Sequence, residues 1–156
     1  MIMVYDCLME ENWNDWRTGR HVVYNLRAHI ILTPKYRREI MTRRVTRLLE
    51  QVFGEVCTRF ECTLESFEAI QGHAHLLIGY TPKTQLSTLI MSLKTNSSKQ
   101  LRDQHWPETD QAFHDKHFWT PSYCIAAAGE DPIETMNQYI ENQDKPRRKY
   151  DKKQRS

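Results

Sequence analysis

The chain has 156 residues, enough for one globular core with tails and too few for two independent cores. Its 22 Lys and Arg against 20 Asp and Glu leave a formal net charge of only +2, so bulk charge does not argue for a nucleic-acid partner. No apolar run approaches the roughly 20 residues that span a bilayer, and the acidic N-terminus is unlike a signal peptide; a cytoplasmic protein is expected.

The distribution of charge says more than its sum. "PKYRR" at 34 to 38, "RRVTR" at 43 to 47 and "KPRRKYDKKQR" at 145 to 155 are basic, while the leader, residues 1 to 21, opens acidic. Residues 22 to 32, "VVYNLRAHIIL", alternate and then become apolar, which suits a strand, and Pro34 is expected to block its continuation. From Arg43 to about Phe60, Val45, Leu48, Leu49, Val52, Phe53 and Val56 recur at helical spacing; Gly54 weakens that helix by about 1 kcal/mol without ending the pattern. "CTLESFEAI" at 62 to 70 and "HAHLLIGY" at 73 to 80, parted by Gln71 and Gly72, read as an antiparallel hairpin. A second helix follows from Thr84 to about Arg102, with Leu86, Leu89, Ile90 and Leu93 inward and Lys94, Lys99 and Arg102 open to solvent. A polar loop fills 103 to 117, a fourth strand "SYCIAAA" precedes Gly129, and a last helix runs from about Pro132 to Gln143. The order β-α-β-β-α-β plus a helix is the split βαβ arrangement of an α+β, ferredoxin-like domain, with one face of an antiparallel sheet left open. The basic tail, 145 to 156, is expected to lack fixed structure in the isolated protein.

Two places carry chemistry. His73 and His75 stand at i and i+2 on a strand, roughly 6.5 to 7 Å apart at Cα and on the same face, so their imidazoles can converge on one cation. The same spacing also fits an ordinary half-exposed strand face. In "MNQYIENQ", Tyr139 and Gln143 are at i and i+4 and share a helix face. Glutamine offers a neutral oxygen to a hard cation, and tyrosine is a covalent nucleophile once its proton is removed; the alternative is a packed aromatic with a wet hydroxyl. Cys7, Cys57, Cys62 and Cys124 form no CxxC pair and read as free thiols, with a zinc site from Cys57 and Cys62 a weaker alternative. His114 and His117 in "HDKH" and Tyr123 are the competing ligand and nucleophile candidates, and Ser97 and Ser98 have no visible histidine-acid partners.

Taken together, "YNLRAHIILTPKYRREIM", "GHAHLLI", "FWTPSYCIAAAG" and "MNQYIENQ" resemble the HUH-type single-tyrosine (TnpA-like) transposases, which mobilise small bacterial insertion sequences as single-stranded DNA; the resemblance covers about residues 22 to 144. It implies that His73, His75 and Gln143 bind a divalent metal, Mg²⁺ or Mn²⁺. It further implies that Tyr139 attacks a phosphodiester to leave a 3′-hydroxyl and a 5′-phosphotyrosine. Hairpins near the element's ends are the implied DNA target, and the implied assembly is a homodimer whose active sites are completed in trans. Such proteins often carry an acidic or amide residue before the first histidine, where this chain has Gly72, which opens the question of what orients His73. Lys35, Tyr36, Arg37, Arg38, Lys94, Lys99, Arg147, Arg148 and Lys149 are the expected contacts to phosphates and unpaired bases. The alternative function is a domesticated, non-cutting hairpin-binding protein of the same fold.

Overall fold

The computed structural model describes residues 16–35, 40–110, 113 and 117–128. A small ribbon, β1 (Arg17–Thr18) paired with β2 (Val23–Tyr24), leads into β3 (Leu26–Pro34). There follow α1 (Arg43–Arg59), β4 (Thr63–Ile70), β5 (His73–Tyr80), α2 (Leu86–Gln104), the short α3 (Pro107–Asp110) and β6 (Trp119–Ala127). Strands β3 to β6 make one sheet in the order β4-β5-β3-β6, with every neighbouring pair antiparallel. The α1 connection carries the chain from β3 past β5 to β4, and the α2 connection carries it from β5 past β3 to β6. That interleaving is the split βαβ topology expected from the element order, and it puts β3 and β5 in the middle of the sheet.

Period-two alternation then assigns the faces. On the central strands Ala28, Ile30 and Leu32 point to the same side as Ala74, Leu76 and Ile78, and all six are buried under the helices. Val45, Leu49, Val52, Phe53 and Val56 of α1 meet Leu89, Ile90, Leu93 and Leu101 of α2 in the same core. Phe53 sits at its centre, edge-on to Phe67 at 5.5 Å and 6.2 Å from the ring of Trp119. The indole N–H of Trp119 donates to the buried Ser97 hydroxyl at 2.9 Å, and that hydroxyl donates in turn to the Leu93 carbonyl, so Ser97 is a structural link and not a nucleophile.

Several boundaries differ from the sequence reading for identifiable reasons. Pro34 does not block the first strand: it closes β3 opposite Trp119, after a register shift beyond Leu32 that accommodates a residue without an N–H. The last strand starts at Trp119 because Pro121 lies on the sheet edge, where a missing donor is tolerated. The polar loop contains α3, and α2 extends to Gln104 before His105 closes it in the left-handed region at φ 53°. The helix expected over 132 to 143 and the tail lie outside the described residues. Cys57, Cys62 and Cys124 are free thiols; burial, with Cys62 alongside, pushes the Cys57 thiol up to about 12, and among the described residues the two join no group of three or more metal-ligating side chains. Cys7 lies outside the described residues. No helix among the described residues is long and apolar enough to cross a membrane.

The start of α1 is tied to α3 by a charged contact. Arg44 gives two hydrogen bonds of 2.5 Å to the Glu108 carboxylate, Thr42 adds a third at 2.9 Å, and the guanidinium also lies over the Trp106 ring. The bonded guanidinium holds the Glu108 carboxyl down to about 2, against an ordinary value of 4.5. A carboxyl depressed in the folded state stabilises the fold fully above its unfolded value and loses that contribution as pH falls through the folded one. Thermal unfolding of the wild type and Glu108→Gln is therefore expected to differ most at pH 6. The gap should narrow between about pH 4.5 and about 2, and an equal gap throughout would contradict the assignment.

Candidate active site

The face of the sheet away from the helices carries His73 and His75 of β5, with His29 on β3 and Glu68 on β4 beside them. Register sets this grouping: His75 pairs with Ile31 on one side and Glu68 on the other, while His29 pairs with Leu77. The β4–β5 turn consists of Gln71 at φ 52° and Gly72 at φ 75°, both left-handed, as a tight two-residue hairpin connection requires. Glycine adopts that conformation without strain, which accounts for Gly72.

The turn also settles the orientation of the first imidazole. His73 is 1 % exposed, and its Nδ1 lies 3.0 Å from the Gln71 carbonyl oxygen. A carbonyl only accepts, so Nδ1 carries the hydrogen and Nε2 is left as a lone-pair acceptor. A backbone carbonyl thus takes the part that a preceding acidic or amide side chain would play. Among the described residues, neither His73 Nε2 nor His75 Nε2 has a hydrogen-bond partner, and both atoms are buried. Two bare imidazole nitrogens on one face are costly without an electrophile to receive them. Burial, followed by the neighbouring His73 and opposed by Glu68, pushes the His75 pKa down and favours the neutral form that ligates. This donor set fits a divalent cation as a partial site. Among the described residues no group of three or more His, Cys, Asp or Glu is placed to hold a metal, so His73 and His75 need a further ligand from elsewhere. Tyr139 and Gln143 lie outside the described residues.

A second feature stands at the same end of the sheet, on the helix side. Lys35, Lys94 and Lys99 come together along a groove of about 670 Å³ between α2 and the start of β6, joined by Arg102 and His117 and floored by Met91, Phe118 and Trp119. Three of the expected basic contacts therefore share one surface; Tyr36, Arg37, Arg38, Arg147, Arg148 and Lys149 lie outside the described residues, as does His114. Lys94 corrects the sequence reading of a solvated lysine. It is half-buried, its ammonium donates to the Thr120 and Ser122 carbonyls at 2.8 and 3.0 Å, and burial lowers its pKa. It clamps β6 to α2 and lies 5.6 Å from the ring centre of Tyr123, which is exposed on the sheet edge. In the sequence Arg102 reads as a helix-end charge and His117 as a competing metal-ligand candidate with His114; the structure instead brings Arg102 and His117 to one groove beside α2.

Comparison with known proteins follows the same lines. Residues 22–143 match the family model described as "Transposase IS200 like". The chain is 26% identical over 129 residues to the ISDra2 transposase TnpA of Deinococcus radiodurans, covering 83% of this chain and 91% of that protein. It is 25% identical over 129 residues to the IS200 transposase of Salmonella typhimurium, covering 83% of this chain and 84% of that protein. A crystal structure assigned as a transposase from Deinococcus radiodurans superposes with a TM-score of 0.73 at 30% identity, covering 81% of this chain and 97% of that one. The REP-associated tyrosine transposase bound to a REP hairpin shares the fold, with a TM-score of 0.51 at 11% identity over 78% of this chain and 67% of that one.

Proposed function

Starting from the fact that the chain belongs to the IS200-like transposase family, we propose that it cuts and rejoins single-stranded DNA at insertion-sequence ends, with a divalent metal and a phosphotyrosine intermediate. The observation that carries this reading is the pair of buried Nε2 atoms on His73 and His75, without hydrogen-bond partners among the described residues. His73, His75 and Gln143 are the residues that would hold Mg²⁺ or Mn²⁺. When bound, the cation would polarise the scissile phosphate and offset the charge that develops on the leaving oxygen.

The chain's own residues do the rest. The Tyr139 phenol loses its proton and its oxygen attacks phosphorus; one O–P bond forms, the bond from phosphorus to the 3′-oxygen breaks, and that oxygen leaves as a hydroxyl after taking up a proton. One phosphodiester replaces another, so the step reverses without an external energy source and a second 3′-hydroxyl can displace the tyrosine. Burial favours the neutral form of His75, the form whose imidazole can ligate. Lys35 and Lys99, with Arg102 across the groove, supply positive charge for hairpin phosphates, and the exposed Met91 supplies apolar surface beside them. Tyr36, Arg37, Arg38, Arg147, Arg148 and Lys149 extend this basic set along the sequence. The segment bearing Tyr139 and Gln143 in each subunit serves the histidine pair of its partner in a two-fold dimer.

The test is a denaturing gel of the protein incubated with labelled single-stranded DNA bearing an end hairpin and Mg²⁺ or Mn²⁺. A covalent adduct is expected from the wild type and none from Tyr139→Phe; an adduct that survives this change would sink the nucleophile assignment. Mixing Tyr139→Phe with a His73→Ala/His75→Ala protein should restore adduct after subunit exchange if sites are shared, and should not if each site is built from one chain.

A further inference from the structure

The open face carries a charged cluster that the histidine site does not use. A register shift between Leu64 and Ser66 sets two residues of β4 against one of β5, and this bulge turns Glu65 onto the open face. There its carboxylate meets two guanidiniums. Arg27 Nε lies 2.6 Å from Oε2 and Arg17 Nη2 lies 3.9 Å from Oε1, so each oxygen faces a different arginine. All three side chains keep a quarter to a third of their surface in water. Gly79 makes room for them: a Cβ there would stand 2.8 Å from Arg17 Nη2 and 3.2 Å from Glu65 Oε1. Its φ is not in the left-handed region, so the glycine serves close approach and not a turn.

The cluster has a defined relation to the histidines. Arg27 pairs with Gly79, and four residues along β3 Ile31 pairs with His75, so the guanidiniums lie about 13 Å from the histidine pair on the same face. His29 stands between them. Two arginines around one carboxylate leave a net positive charge of one, and an exposed pairing of this kind contributes little to stability. Two guanidiniums addressing two oxygens of one anion is, however, the arrangement by which arginine holds a phosphate.

We infer that Arg17 and Arg27 bind a backbone phosphate of the single strand that leads to the histidine pair, and that Glu65 occupies the phosphate's place while no DNA is bound. The inference rests on the single-strand reading above and adds a contact remote from the groove beside α2. It carries an unusual sign: removing an arginine weakens DNA binding, whereas removing the carboxylate's charge strengthens it.

The experiment measures binding of the full chain to a fluorescein-labelled, unstructured 20-mer of thymidylate by anisotropy across a salt series. Glu65→Gln, which keeps shape, is expected to bind about fivefold more tightly than wild type. Arg27→Ala is expected to bind more weakly and to lower the slope of log K against log salt by about 0.7, the share of one phosphate on a single strand. Arg27→Lys, which keeps a charge, should restore most of that slope, and adding Arg27→Ala to Glu65→Gln should abolish the gain. A cluster that only braces the sheet would make Glu65→Gln bind equally or more weakly, and that result overturns the inference. An unchanged salt slope in Arg27→Ala, or a wild type that does not bind the 20-mer, overturns it as well. Failure of the underlying function reading shows separately, as a wild type that forms no Tyr139-dependent adduct with hairpin DNA.

Discussion

His73→Ala and His75→Ala are each expected to lower adduct formation by about a hundredfold or more, and to lose Mn²⁺ binding measured by electron paramagnetic resonance in the absence of DNA. Both imidazoles place on the same face of β5 a buried Nε2 that has no hydrogen-bond partner among the described residues. Removing one leaves the other with no geometry for chelation. His75→Ala should cost little in folding, because among the described residues the Nε2 it deletes has no hydrogen-bond partner, whereas His73→Ala also removes a buried ring and its Nδ1 hydrogen bond to the Gln71 carbonyl. The thermal midpoint of metal-free His75→Ala is expected to stay within about 4 °C of wild type, and that of His73→Ala to fall further. Loss of activity with retained Mn²⁺ affinity would remove the histidines from the metal site, and a collapse of the midpoint would assign them a packing role instead. Chelation of divalent ions should reproduce the activity of the double variant in the wild type.

Phe53→Ala is expected to have the largest effect on stability, about 3–5 kcal/mol from urea unfolding followed by circular dichroism. The side chain has no exposed surface and joins α1 to the sheet through Phe67 and Trp119. The deletion opens a cavity in the core that both helices share with the sheet, beside aromatic rings that cannot flow into it. Against a domain stability of about 5–15 kcal/mol, that loss leaves a substantial unfolded population. A cost below about 1 kcal/mol would mean that α1 does not depend on this contact.

The sequence was most legible where pattern and burial coincide. Helix α1 was readable from Arg43 onward because its apolar positions all enter one core, and β5 because alternation separates His73 and His75 from Ala74, Leu76 and Ile78. The strand order followed from the element order, since a split βαβ leaves few other ways to pair these strands. What stayed hidden depended on geometry between distant segments. Nothing local marks Glu65 as the extra residue of a bulge, and without the bulge its meeting with Arg27, 38 positions away, is invisible. Lys94 looks solvated on a helical wheel because the carbonyls that bury it come from Thr120 and Ser122 of β6. The partner of His73 was sought in a neighbouring side chain, and it is a main-chain oxygen, which no residue type advertises.

That last contact makes the address of the histidines a matter of loop length. Gln71 and Gly72 close β4 onto β5 with Ile70 opposite His73, and every later pairing on β5 inherits its phase from this closure. One residue added to or taken from the two-residue link would turn the strand over. His73 and His75 would enter the helix layer, and Ala74, Leu76 and Ile78 would take the opposite face. A single-codon insertion here would therefore exchange an active surface for a core defect while leaving every functional residue in place in the gene.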